Sequence, residues 1–143
     1  MLDITENTLN RLDAFNNWLS DVYGEETKFN TVLLDEGFSE AEIEQLHQEH
    51  LNEFLPTIVE LLDSYRDQTG KRGKIFTMQY YGLVDGNPQD LHTIGENADV
   101  SLVRIRQLIN QRVSIFRHAA RKEQLWSDIG LIGRCLLDTS TGS

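Results

Sequence analysis

The stretch Tyr80–Lys122, YYGLVDGNPQDLHTIGENADVSLVRIRQLINQRVSIFRHAARK, decides how this chain is read. Asp85-Gly86 and Asn87-Pro88 are strong breakers and mark a turn. The spacing after them predicts a short helix over Leu91–Asn97 and a tight turn at Ala98-Asp99. A long helix follows, capped by Ser101 and running to about Arg117. Leu91, Ile94 and Val100 form the buried side of the first helix and the turn. Ile105, Leu108 and Phe116 form that of the second, and Gly95 lets the two approach closely. A short helix propping a second whose N-terminal part enters the major groove is the plan of a helix-turn-helix. Arg104, Arg106 and Gln107 then stand at the reading end, where Arg suits guanine edges or phosphates and Gln suits adenine.

Charge divides the chain. Net charge is -10 over 143 residues, an odd balance for a nucleic-acid binder. Residues 1–70 carry 3 Lys+Arg against 16 Asp+Glu, residues 71–125 carry 9 against 5, and residues 126–143 carry 1 against 2. An acidic half joined to a basic half attracts a polyanion to one part and repels it from the other. The reading is therefore a 1–70 acidic helical domain, a 71–125 helix-turn-helix domain, and a 126–143 amphipathic helix and tail. The acidic half has four open readings: a DNA mimic, an autoinhibitory cover, a docking surface, or simple solvation of outer helix faces.

The flanks are helical by periodicity, and strands find little support. Thr8–Tyr23 repeats apolar residues at three- and four-residue steps, with Thr5 or Asn7 as cap and Gly24 as stop. Phe29–Leu34 reads as either helical or irregular. Ser39-Glu40-Ala41-Glu42 is a capping-box sequence opening a helix through Ile43, Leu46, Leu51 and Phe54. Pro56 either breaks that helix or opens the next, over Thr57–Arg66. Residues 68–73 read as a linker, and Lys74–Gly82 as a helix ending at glycine. Leu125–Leu137 is amphipathic but weakened by Gly130 and Gly133, and Thr139–Ser143 reads as a frayed tail. The predicted class is all-α.

Residues 74–125 resemble the fourth conserved region of bacterial RNA polymerase sigma factors, the part that reads the minus-35 promoter element and contacts the polymerase flap. The resemblance rests on Tyr81-Gly82-Leu83, Asp85-Gly86, Leu91, Ile94-Gly95-Glu96, Val100-Ser101, Arg104-Ile105-Arg106-Gln107 and Phe116-Arg117-His118, in the family's order and spacing without gaps. It covers roughly a third of the chain, and residues 1–70 resemble no sigma region. It implies a bacterial or phage, cytoplasmic transcription protein. Its partners would be double-stranded DNA and RNA polymerase core or a regulatory protein. Lacking promoter-melting features in its first half, the chain is not expected to replace a complete sigma factor.

Departures from the family matter equally. Leu102 and Val103 stand where the family usually has Arg and Glu. Asp90 opens the first helix and should repel phosphate, and Gln111 replaces a basic residue. The expected DNA-contacting set is Ser101, Leu102, Val103, Arg104, Arg106, Gln107, Gln111, Arg117, Arg121 and Lys122. Arg104, Arg117, Arg121 and Lys122 would hold phosphates, while Arg106 and Gln107 read bases. Leu102 and Val103 either touch thymine methyls, pack locally, or meet protein, the acidic half included. An interaction module with little DNA affinity is thus the alternative function.

Other chemistry finds little footing. No nucleophile–base pattern, Gly-rich phosphate loop or paired catalytic carboxylate is present, so a non-enzyme without cofactor is expected. His47 and His50 stand three apart near Glu44 without a second ligand pair. His92 and His118 are better placed for phosphates. The lone Cys135 fits a reducing compartment and reads as buried core. No secretory signal or membrane span is legible. Trp18 and Trp126 read as core anchors, with a homodimer interface as the other option.

Overall fold

The computed structural model describes residues 4–141, and side chains as far as Thr139. Every regular element among the described residues is helical: α1 (Glu6–Tyr23), α2 (Phe29–Asp35), α3 (Glu40–Gln45), a π-turn (Leu46–His50), α4 (Leu51–Ser64), α5 (Gly70–Tyr81), α6 (Leu91–Ala98), α7 (Leu102–Phe116) and α8 (Ala119–Thr141). The chain is all-α, as its periodicity predicts.

Local chemistry accounts for most boundaries. Thr5 caps α1 by accepting from the Thr8 N–H, and Gly24 ends it at φ 120°. Ser39 and Glu42 form the anticipated capping box of α3. That box also holds the Glu42 carboxyl below its ordinary pKa, first through the Ser39 backbone bond and then through Arg134. α5 ends at Gly82, which is left-handed at φ 71°. A Cβ there would lie 2.4 Å from Pro88 N and 2.6 Å from the Asn87 carbonyl carbon, both backbone atoms that cannot swing aside. Gly82→Ala should therefore lower stability by at least about 1 kcal/mol, read as a reduced urea midpoint; an unchanged midpoint would contradict this account.

One open reading is settled and several local expectations are corrected. The stretch read as either helical or irregular is the helix α2, with Phe29, Val32 and Leu33 buried. Pro56 neither stops nor starts a helix but lies inside α4, whose Leu51, Phe54, Leu55, Ile58 and Leu62 are buried. Packing of that face offsets the hydrogen bond proline cannot donate. The linker read at 68–73 lies instead at residues 65–69, because α4 ends at Ser64 and α5 already begins at Gly70. Gly130 and Gly133 do not weaken the last helix: α8 runs unbroken to Thr141, so the frayed-tail reading fails for 139–141, and residues 142–143 lie outside the described ones. At Gly133 a Cβ would sit 2.8 Å from the Phe38 ring, so the missing side chain is what lets α8 lie against Phe38 and Phe54.

One core cluster runs through both the acidic and the basic stretches. Phe15 stacks on Trp18, and Trp18 meets Phe116 of α7 edge-on at 5.0 Å. α8 folds back across α2 and α4: the Trp126 Nε1–H donates to Asp35 at 3.0 Å, and the Tyr65 hydroxyl to Asp128 at 2.6 Å. Arg134 lies over the Phe38 ring at 3.9 Å and pairs with Glu42 at 2.6 Å. Trp18 and Trp126 are both buried within the chain, as core anchors should be.

Candidate nucleic-acid interface

α6 and α7 are joined by three residues, 99–101. Asp99 adopts φ 56°, and the Asp99 and Val100 N–H groups both return to the Gly95 carbonyl. A Cβ on Gly95 would come to 3.0 Å from Val100 O and 3.4 Å from Ile105 Cδ1 and Leu102 Cδ2, so glycine sets the close approach of the two helices. Ser101 then caps α7, its Oγ accepting from the Arg104 N–H at 3.2 Å. Asp90 caps α6 the same way, accepting from Thr93 at 2.7 Å, and that backbone bond keeps its carboxyl below the usual range. The carboxylate thus satisfies a helix N-terminus while placing negative charge beside it.

α7 divides into two faces. Ile105, Leu108, Ile109, Arg112, Val113 and Phe116 are buried. Ser101, Leu102, Val103, Arg104, Arg106, Gln107, Asn110 and Gln111 are all exposed. Val103, Gln107, Asn110 and Ser114 follow helical spacing and form the outward ridge. Leu102, Val103, Arg106, Gln107 and Asn110 line one shallow depression of about 340 Å³. Val103 is 69% exposed, which tells against local packing there, while Leu102, 45% exposed, keeps its Cδ2 against Gly95; the acidic half does not lie over either.

The remaining predicted phosphate contacts are placed differently. Arg117 turns back onto α1: its Nε–H donates to Val22 O and its Nη2–H to Asp21 O, each at 2.9 Å. It thereby meets the negative end of that helix. The Arg121 guanidinium lies 4.9 Å above the Tyr65 ring and bonds to Arg66 O. The Lys122 ammonium stands 5.0 Å from the Trp126 ring and 5.7 Å from that of Tyr23. All three side chains serve the seam with the first half of the chain, and Arg104, Arg106, Gln107 and Gln111 are the polar members of the set that project from α7.

Two residues that matter here escape a motif-based reading. Asn110 shares the depression with Arg106. Arg112 is 2% exposed and sits on the apolar stripe four residues after Leu108 and four before Phe116. A lone arginine on an otherwise apolar stripe is the signal that was available. Its Nη1–H donates to Asp67 Oδ2 at 2.7 Å and its Nη2–H to Leu62 O at 2.8 Å. Burial works against the Asp67 carboxylate, but bonds from Thr69 and the guanidinium outweigh it and hold the pKa below normal.

The histidines and the cysteine occupy ordinary surroundings. His92 pairs with Glu96 at 2.9 Å, and a ring nitrogen of His47 lies 2.7 Å from Asn30 Oδ1. Burial depresses the pKa of His47. Cys135, expected in the core, is exposed on α8. Among the described residues, no group of three or more His, Cys, Asp or Glu is arranged to hold a metal ion, and no helix is long and apolar enough to cross a membrane.

The chain matches no protein-family model, and no curated protein or solved structure is significantly similar to it.

Proposed function

We propose that the protein is a DNA-binding transcription regulator, acting in a bacterial or phage-infected cytoplasm, that lays the first turns of α7 in the major groove. The observation that carries this reading is the uncovered face of α7. Arg104, Arg106, Gln107 and Gln111 project from a helix that is capped by Ser101 and propped by α6. Arg106 and Gln107 are the base readers in this scheme, and Arg104 is the phosphate contact. The resemblance to the fourth sigma region supports the same docking mode.

Fluorescence anisotropy with the full chain and a pool of mixed duplexes at low salt tests it. With two outward arginines on α7, the slope of log affinity against log salt should be shallow, about -2, and Arg104→Ala should reduce its magnitude by about 0.9. No binding to any duplex at low salt overturns the proposal.

A second reading has its own observation. Leu102 and Val103 present apolar surface where a base reader of this kind usually carries charge, and surface of that character favours protein. In that reading α7 docks on RNA polymerase or a regulatory protein, with little affinity for DNA.

A further inference from the structure

A groove of about 490 Å³ lies between α4 and the segment formed by α5 and the turn after it. Val59, Ile75, Met78 and Val84 supply its apolar lining. Ile75 and Val84 are among the few large apolar side chains left at the surface, 40% and 52% exposed. Glu60, Asp63 and Asp85 give the same groove a negative rim. Gln89, also in the lining, has a buried Oε1 with no hydrogen-bond partner.

The start of α7 complements this groove in charge and in apolar character. Leu102 and Val103 protrude, with Arg104 and Arg106 beside them. Neither patch is covered within its own chain, so the two do not meet intramolecularly. We infer that the occupant of the groove is a second copy of this chain, whose α7 start inserts Leu102 and Val103 between Val59, Ile75 and Val84 and sets its arginines against Glu60, Asp63 and Asp85. Apolar contact drives the insertion, and the charges fix its register. Each such contact pairs two different patches, one from each copy. It also occupies the surface proposed to read DNA, and self-association and DNA binding are therefore mutually exclusive on any one α7. The inference rests on the exposed patches and not on DNA binding, and it is tested without DNA.

The test is sedimentation equilibrium of the full chain. At roughly 0.1–1 mM, where an association worth only about 4–5 kcal/mol is populated, the weight-average mass should rise above the 16.4 kDa of one chain. Val103→Glu, on the protruding side, and Val84→Glu, in the groove, should each weaken association by about tenfold or more. Circular dichroism checks that these surface variants stay folded. Mixing the two variants restores one intact contact, since each keeps the patch the other has lost, and the mixture should again exceed the mass of one chain. A mass of 16.4 kDa at every concentration overturns the inference. So does a folded variant that associates like the unmutated chain, or a mixture that fails to associate.

Discussion

Arg112→Ala should cost about 3–5 kcal/mol of folding stability, the loss expected when one partner of a buried ion pair is removed. Arg112 is 2% exposed, and the side chain of Asp67 is 6% exposed. The guanidinium donates to Asp67 and to the carbonyls of Leu62 and Tyr65, at the end of α4 where backbone acceptors lack helical partners. Truncation leaves those acceptors unpaired and a buried carboxylate uncompensated. It also removes a cation 5.2 Å from the centre of the Phe116 ring. Guanidinium chloride unfolding followed by circular dichroism measures the loss, and a value under about 1 kcal/mol would show the pair to be dispensable. Acid gives an independent readout. The Asp67 pKa is lower in the folded chain than unfolded, so its contribution is complete above the unfolded carboxylate value of about 3.9 and disappears as pH falls through the folded value. Arg112→Ala removes part of what lowers that pKa, so the variant should lose less stability on acidification than the unmutated chain.

Arg106→Ala should weaken binding to the preferred duplex by roughly 5- to 150-fold, the range for one good arginine–base pair. On duplexes lacking the preferred base the loss should be much smaller. Arg117→Ala should do the reverse. Its guanidinium is bonded to α1, so affinity should stay nearly unchanged while stability falls by about 0.5–1.5 kcal/mol. Anisotropy titrations with paired duplexes, beside urea unfolding of both variants, separate the two roles. Equal losses of DNA affinity in the two variants would return Arg117 to the DNA-facing set. An unchanged affinity for Arg106→Ala would favour the protein-docking reading.

What could be read from the residues follows from how local the cause is. The caps at Ser39 and Ser101, the stops at Gly24 and Gly82, and the turn at Asp99 depend on backbone groups a few residues away, and the short-range pattern contains them; at α1 that pattern left Thr5 and Asn7 as alternatives, and Thr5 is the cap. Periodicity likewise marked Ile94, Ile105, Leu108 and Phe116 as inward-facing, and all four are buried. Pro56 and Gly133 stand inside helices although local propensity opposes a helix at both, because packing of α4 and α8 against distant aromatic residues prevails.

Of the interface, the residue types and their order along α7 belong to the sequence; which cations remain free does not. Arg104 and Arg117 are equally charged in one dimension, yet one projects outward and the other caps α1, 95 residues away in the chain. The acidic half was legible as a charge imbalance, but nothing in composition said that it would leave Leu102 and Val103 open. An all-helical chain with its caps and apolar stripes follows from the order of the residues alone, because hydrogen bonds and side-chain spacing act within a turn or two. Which arginines became mortar and which became surface depends instead on the carbonyls and rings that long-range packing brings within reach.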